Sequence, residues 1–121
     1  MTRPNDDSVR ALLRARGAAE HVVSGGADRL VAGWRKFVEQ VEAGYPFGLD
    51  EYCNDLDIRS LIEATGLAPL VADEDSRLRA MLVRPEVAVW SSEFAGAFWV
   101  RGYPANASGE LLTDLKARLG V

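Results

Sequence analysis

The sequence predicts a mainly α fold, a compact single-domain bundle of four or five helices with one short extended or hairpin segment near residues 87–103. Three observations predict it. Apolar residues recur at helical spacing in several separate stretches. Residues that favour strands cluster between Val87 and Tyr103. A chain of 121 residues, 48% of them hydrophobic, can close one core without disulfides or a structural metal. Residues 1–121 therefore read as a single domain, with residues 1–7 as a flexible N-terminus that holds no large apolar side chain after Met1.

Val9, Leu12 and Leu13 predict a first helix over about 8–16, with Asp6, Asp7 or Ser8 as its cap. Gly17 ends it, or it runs on through Ala18 and Ala19 to Val23, where Ser24-Gly25-Gly26 is a strong stop. The clearest helix follows, because Leu30, Trp34, Phe37, Val38 and Val41 form one stripe while Arg35, Lys36, Glu39, Gln40 and Glu42 occupy the other side. Asp28 suits the dipole at its start, and Gly44 with Pro46 ends it. Leu49 to Thr65 carries two stripes out of phase, Leu49, Tyr52, Cys53 and Leu56, then Ile58, Leu61, Ile62 and Thr65. The step from 56 to 58 turns the helical wheel by about 200°. One helix buried on two faces, with room for a bend at 54–57, accommodates both. Gly66 and Pro69 stop it.

Leu78, Met81 and Leu82 predict a short charged helix over 73–84, with Asp73–Arg77 and Asp75–Arg79 as acid-before-base pairs. Pro85 ends it or begins a new turn. Between Val87 and Tyr103 two readings stand side by side: a small hairpin, or a helical turn followed by an extended strip. Leu111, Leu112, Leu115 and Leu119 restore helical spacing, with Asn106 or Ser108 as the cap.

Charge and residue counts exclude more than they assign. A net charge of −4 opposes a polyphosphate backbone, so nucleic acid is a disfavoured partner. No apolar run approaches the roughly 20 residues that span a bilayer, so no membrane partner is expected. The chain has no secretory leader pattern, and an unpaired Cys53 agrees with a reducing compartment, so the cytoplasm is the expected location. Cys53 and His21 alone cannot make a zinc site of four Cys/His ligands. Cys53 lies on an apolar stripe, where a free cysteine behaves as a small buried hydrophobe. No nucleophile elbow, phosphate-cradling loop or metalloprotease helix is present. The expectation is a protein without catalytic residues, metal ligands or cofactors.

Two features remain as candidate contact surfaces. The first is the polar constellation Asp50, Glu51, Asn54, Asp55 and Asp57, in which 50, 54 and 57 share one helical face and 51 and 55 another. Carboxylates so placed could converge on a hard cation, but the glycine and final glutamate of a calcium loop are missing. In the plainer account Asp50 caps the helix, Glu51 favours its first turn and Asp55 pairs with Arg59. The second is the aromatic segment holding Trp90, Phe94, Phe98, Trp99 and Tyr103, which either closes core or forms an exposed patch beside Glu93 and Arg101. Asp50, Glu51, Asn54, Asp55, Trp90, Trp99 and Arg101 are thus the candidate partner-binding residues.

The run from Trp34 to Tyr45, with Phe37, Val38, Val41 and Gly44 in fixed spacing, followed by Asp50-Glu51-Tyr52-Cys53-Asn54-Asp55-Leu56-Asp57-Ile58-Arg59, resembles a small bacterial protein family of unknown function. Phe98-Trp99-Val100-Arg101, Pro104 and the leucine-rich end are similar to it as well. The resemblance covers about half the chain, implies a shared fold and brings no activity or site residue with it.

The leading functional expectation is a small acidic protein that binds another protein, as an inhibitor of the immunity or antitoxin kind or as a regulatory adaptor. Complementary charge would speed its association with a basic target. Two other classes stand beside it: a metal-dependent enzyme or ligand-binding domain using the Asp50–Asp57 carboxylates, and a self-associating structural subunit that buries the aromatic segment between copies.

Overall fold

Residues 6–90 and 93–121 are described by the computed structural model of the chain. Of the segment expected to be a flexible N-terminus, residues 1–5 lie outside the described residues, while Asp6 and Asp7 already form the first turn of a helix. Ser91 and Ser92, within the aromatic segment, also lie outside them.

Among the described residues, five α-helices and one two-stranded antiparallel sheet make up the domain. Helix α1 spans Asp6–Ala15 and buries Val9 and Leu13. It ends at Gly17 rather than running on. Ala18 N–H reaches back to Leu13 O and Gly17 N–H to Arg14 O, the paired bonds that close a helix C-terminus. Helix α2, Glu20–Ala43, contains the Ser24-Gly25-Gly26 sequence as an internal kink instead of a terminus. Gly26 sits at φ 60 and ψ −152, a region only glycine occupies readily, so the axis changes direction there. Beyond the kink Leu30, Trp34, Phe37, Val38 and Val41 are all buried, as their spacing predicts. Asn106 closes the far end of α2 by donating its side-chain amide to Val41 O at 2.9 Å.

Helix α3, Leu49–Ala64, is one helix buried on two sides. Tyr52, Cys53 and Leu56 of the first stripe and Ile62 and Thr65 of the second are buried, with Ile58 and Leu61 half-buried. A 3-10 turn over Ala68–Val71 leads into α4, Ala72–Met81, which is shorter than its pattern predicts. Strand β1 begins at Leu82 rather than Val87 and runs to Ala88, pairing with β2, Arg101–Pro104. Leu82 faces Pro104, Val83 faces Tyr103 and Ala88 faces Arg101. The register is irregular between Val83 and Ala88, where Pro85 has no N–H to donate and Arg84 takes φ 58. Helix α5, Gly109–Leu119, buries Leu111 and Leu115.

The long α2 forms the centre, packed against α1, α3 and α4, while α5 and a 3-10 turn at Phe98–Val100 close over α3. Phe37 anchors the core. Its ring meets Trp34 in a stack at 5.0 Å, Tyr52 at 5.3 Å and Tyr45 edge-on at 5.7 Å. Offset and edge contacts of this kind add to the stabilisation from buried area alone. Among the described residues no helix is long and apolar enough to cross a membrane.

Gly102 makes the sheet's geometry testable. Its φ is 76, and a Cβ there would lie 2.5 Å from Val83 O. Gly102→Ala should lower stability by about 1–3 kcal/mol in urea unfolding with the slope unchanged. A change below about 0.5 kcal/mol would contradict the close approach of the two strands.

Candidate functional site

Helix α3 organises the candidate residues because each of its faces meets a different part of the fold. Cys53, Asp57 and Ser60 lie at i, i+4 and i+7, one stripe of the helix, and each holds a group of the aromatic segment. The Cys53 thiol donates to Val89 O at 3.4 Å, Trp90 Nε1 donates to Asp57 Oδ1 at 2.8 Å and Trp99 Nε1 donates to Ser60 Oγ at 3.3 Å. Burial, with the charges of Asp50 and Asp57 adding to it, pushes the Cys53 thiol up to about 11, so it stays protonated at neutral pH. It is a packed hydrogen-bonding group, as its place on the apolar stripe predicts.

The two tryptophans part company. Trp99 is only 4% exposed and belongs to the core. That corrects its place among the partner-binding residues, because nearly all of its side chain is covered. Trp90 is 37% exposed, with its Nε1 edge tied to Asp57. Arg101 is half-buried, and its Nε donates to Ala95 O at 3.3 Å, spanning the connection between the strands.

Against Trp99 lies a polar cluster built on Arg59. Arg59 is buried, with its guanidinium carbon 4.2 Å from the centre of the Trp99 ring. Its Nε donates to Asp75 Oδ1 at 3.0 Å, its Nη2 to Asp75 Oδ2 at 2.9 Å and its Nη1 to Glu63 Oε2 at 3.2 Å. Asp75 Oδ1 also accepts from Trp34 Nε1 at 2.9 Å, so one carboxylate joins α2, α3 and α4. The pairing expected between Asp55 and Arg59 does not form, nor does Asp75 pair with Arg79. Arg79 instead lies over the Phe98 ring at 4.4 Å. Arg59, Glu63, Asp75, Arg79, Phe98 and Trp99 line a cleft of about 510 Å³ whose polar groups mostly satisfy one another.

The acidic residues of α3 diverge instead of converging. Asp50 meets Arg118 of α5 in a two-bond pair at 2.6 and 3.2 Å and stays exposed. The cap at the start of α3 comes from α5, where Asp114 Oδ2 accepts from Leu49 N–H at 3.0 Å. Asp50 is therefore not the cap. Glu51 and Asn54 are exposed. Asp55 is half-buried and accepts the Tyr45 hydroxyl at 2.6 Å. Burial holds the Asp55 carboxyl above its ordinary range despite that hydrogen bond, and it raises the Tyr45 phenol as well. Among the described residues no group of three or more His, Cys, Asp or Glu side chains is placed to hold a metal ion.

One member of this surface escapes a reading by stripes. Phe47, between Pro46 and Gly48, is 45% exposed and touches Tyr45 edge-on at 5.7 Å. The carboxylates of Glu110 and Asp114 crowd the adjoining Gly48, and Asp50 and Glu51 open the helix beyond it. The available signal is an aromatic residue outside every apolar stripe, fixed between a proline and a glycine. No family model, curated protein or solved structure matches the chain.

The raised Asp55 carboxyl sets a pH dependence. The native state keeps this proton to higher pH than the unfolded chain does, so folding loses stability as pH rises through the window above the ordinary carboxylate value. Asp55→Asn keeps an acceptor for Tyr45 and removes the titration. In melts between about pH 3 and pH 7 the variant should gain on the wild type as pH rises. A difference that stays constant, or moves the other way, would contradict the desolvated carboxyl.

Proposed function

We propose that the protein acts in the cytoplasm by binding a basic surface of another protein, as an inhibitor or regulatory adaptor and not as an enzyme. The observation that carries this reading is Phe47, a half-exposed ring next to Gly48, which the carboxylates of Glu110 and Asp114 approach, and two residues ahead of the acidic first turn of α3. An aromatic side chain held by its neighbours supplies contact area at little entropic cost, and such residues dominate binding energy when a partner covers them. The surrounding carboxylates supply charge that steers a cationic target toward the ring.

Glu51 and Asn54 continue the surface along α3, with Asp55 at its edge. The exposed Asp50–Arg118 pair is screened by water and can exchange for a partner's cation. Trp90 lies farther along α3, beside Asp57, and would contribute at the rim. The separate attachments of Asp50, Asp55 and Asp57 to Arg118, Tyr45 and Trp90 favour this reading over a shared cation.

The test is affinity capture from the native cell with wild type, Phe47→Ala and Glu51→Lys, each first shown to melt like the wild type. Capture of a basic protein should fall about tenfold or more in both variants. Glu51→Lys should also weaken the salt dependence of the remaining binding. Recovery of the same proteins by all three in equal amount would defeat the assignment.

A further inference from the structure

A second surface of opposite character lies where α2 crosses α3. Val22, Leu30, Ala32 and Gly33 of α2 and Ile58 and Leu61 of α3 line an open groove of about 470 Å³. His21, Arg29 and Lys36 are its polar members, and all three are exposed. Arg29 and Lys36 make no ion pair among the described residues. Arg35, Arg59, Arg77, Arg84 and Arg118, by contrast, each hold a carboxylate, in a chain where acids outnumber bases. Asp55 is close enough for its carboxylate to feel the Lys36 charge, but its short hydrogen bond goes to Tyr45. The stem of Arg29 lies over Gly25, where any larger residue would collide with it, so the kink in α2 seats the arginine at the groove.

We infer that this groove binds an amphipathic helix of a partner protein, with apolar side chains between Leu30, Ile58 and Leu61 and carboxylates on Arg29 and Lys36. The spacing of the cations suits a helix. Seven residues of α2 separate them, about 10.5 Å along the axis, and carboxylates two turns apart on an incoming helix match that distance. Ala32, small and exposed between the cations, leaves room for a second helix to approach closely. This site stands independently of the acidic surface at Phe47, and the two prefer partners of opposite charge.

Two labelled helical peptides test it. They share a leucine stripe at i, i+3, i+4 and i+7 and carry either glutamate or lysine along both flanks of that stripe. Fluorescence anisotropy at low salt should show the glutamate peptide binding about tenfold or more tightly than its lysine twin. The surface variant Arg29→Glu/Lys36→Glu, checked by circular dichroism, should reverse the preference. Phe47→Ala should leave it unchanged, so failure here and failure of the acidic surface are read separately. Equal binding of the two peptides, no binding of either, or a preference that survives the double reversal would overturn the inference. So would saturable binding of decanoate with neither peptide bound, which would assign the groove to a small amphiphile.

Discussion

A guanidinium withdrawn from water has to be met by acceptors, and Arg59 meets that requirement in a way that sets the rest of the architecture. Its charge sits on the Trp99 ring and donates to Asp75 and Glu63. Asp75 brings it a carboxylate from α4, and Trp34 donates to the same carboxylate from α2. Three helices and the segment between the strands are thereby held to one point. Buried ion pairs of this kind add little net stability over an apolar replacement, yet removing one partner strands a buried charge at high cost. The pair accordingly acts on arrangement more than on total stability.

With that arrangement in place, α3 has no uncommitted face except the two that reach solvent. Its Cys53, Asp57 and Ser60 stripe carries Val89, Trp90 and Trp99, and its core stripes meet α2 and α5. What remains is the acidic surface at its N-terminal end, beside Phe47, and the apolar groove against α2 edged by Arg29 and Lys36. The two surfaces adjoin on one rigid helix but differ in sign. Under the two proposals, one surface would meet a basic partner and the other an acidic helix.

Much of the fold could be read before any coordinates because local pattern and burial agree. The stripe of α2, the doubled stripe of α3 and the leucines of α5 each state which face is inside. Helix stops were legible where glycine ended an apolar pattern, as at Gly44 and Gly66, whereas at Gly17 the helix-favouring alanines that follow left a second reading open. The kink at Gly26 was not, since Ser24-Gly25-Gly26 breaks helical hydrogen bonding equally well whether the chain then leaves or merely bends. Strand β1 begins early because Leu82 and Val83 satisfy a helix stripe and a strand alike, and only pairing with Tyr103 and Pro104 decides between them. Arg59 has the composition of a surface ion-pair residue. Its burial depends on Asp75 and Trp99, both distant along the chain, which no local rule brings together. The same limit separates Trp90 from Trp99 and hides the groove, whose two walls belong to different helices. At the acidic surface, Glu51 and Asn54 were identifiable as exposed polar positions, whereas Phe47 belongs to no periodic pattern.

The central claim is that the Arg59–Asp75 pair couples the helices and the aromatic segment, and a double-mutant cycle of Arg59→Met and Asp75→Asn measures it most directly. Asparagine keeps an acceptor for Trp34, so the cycle isolates the bond to arginine. Urea unfolding should show each single variant losing about 3 kcal/mol or more. The double variant should fall short of the summed losses by about 2 kcal/mol or more. Losses that simply add, within about 0.5 kcal/mol, would mean the two side chains are independent and would contradict the account.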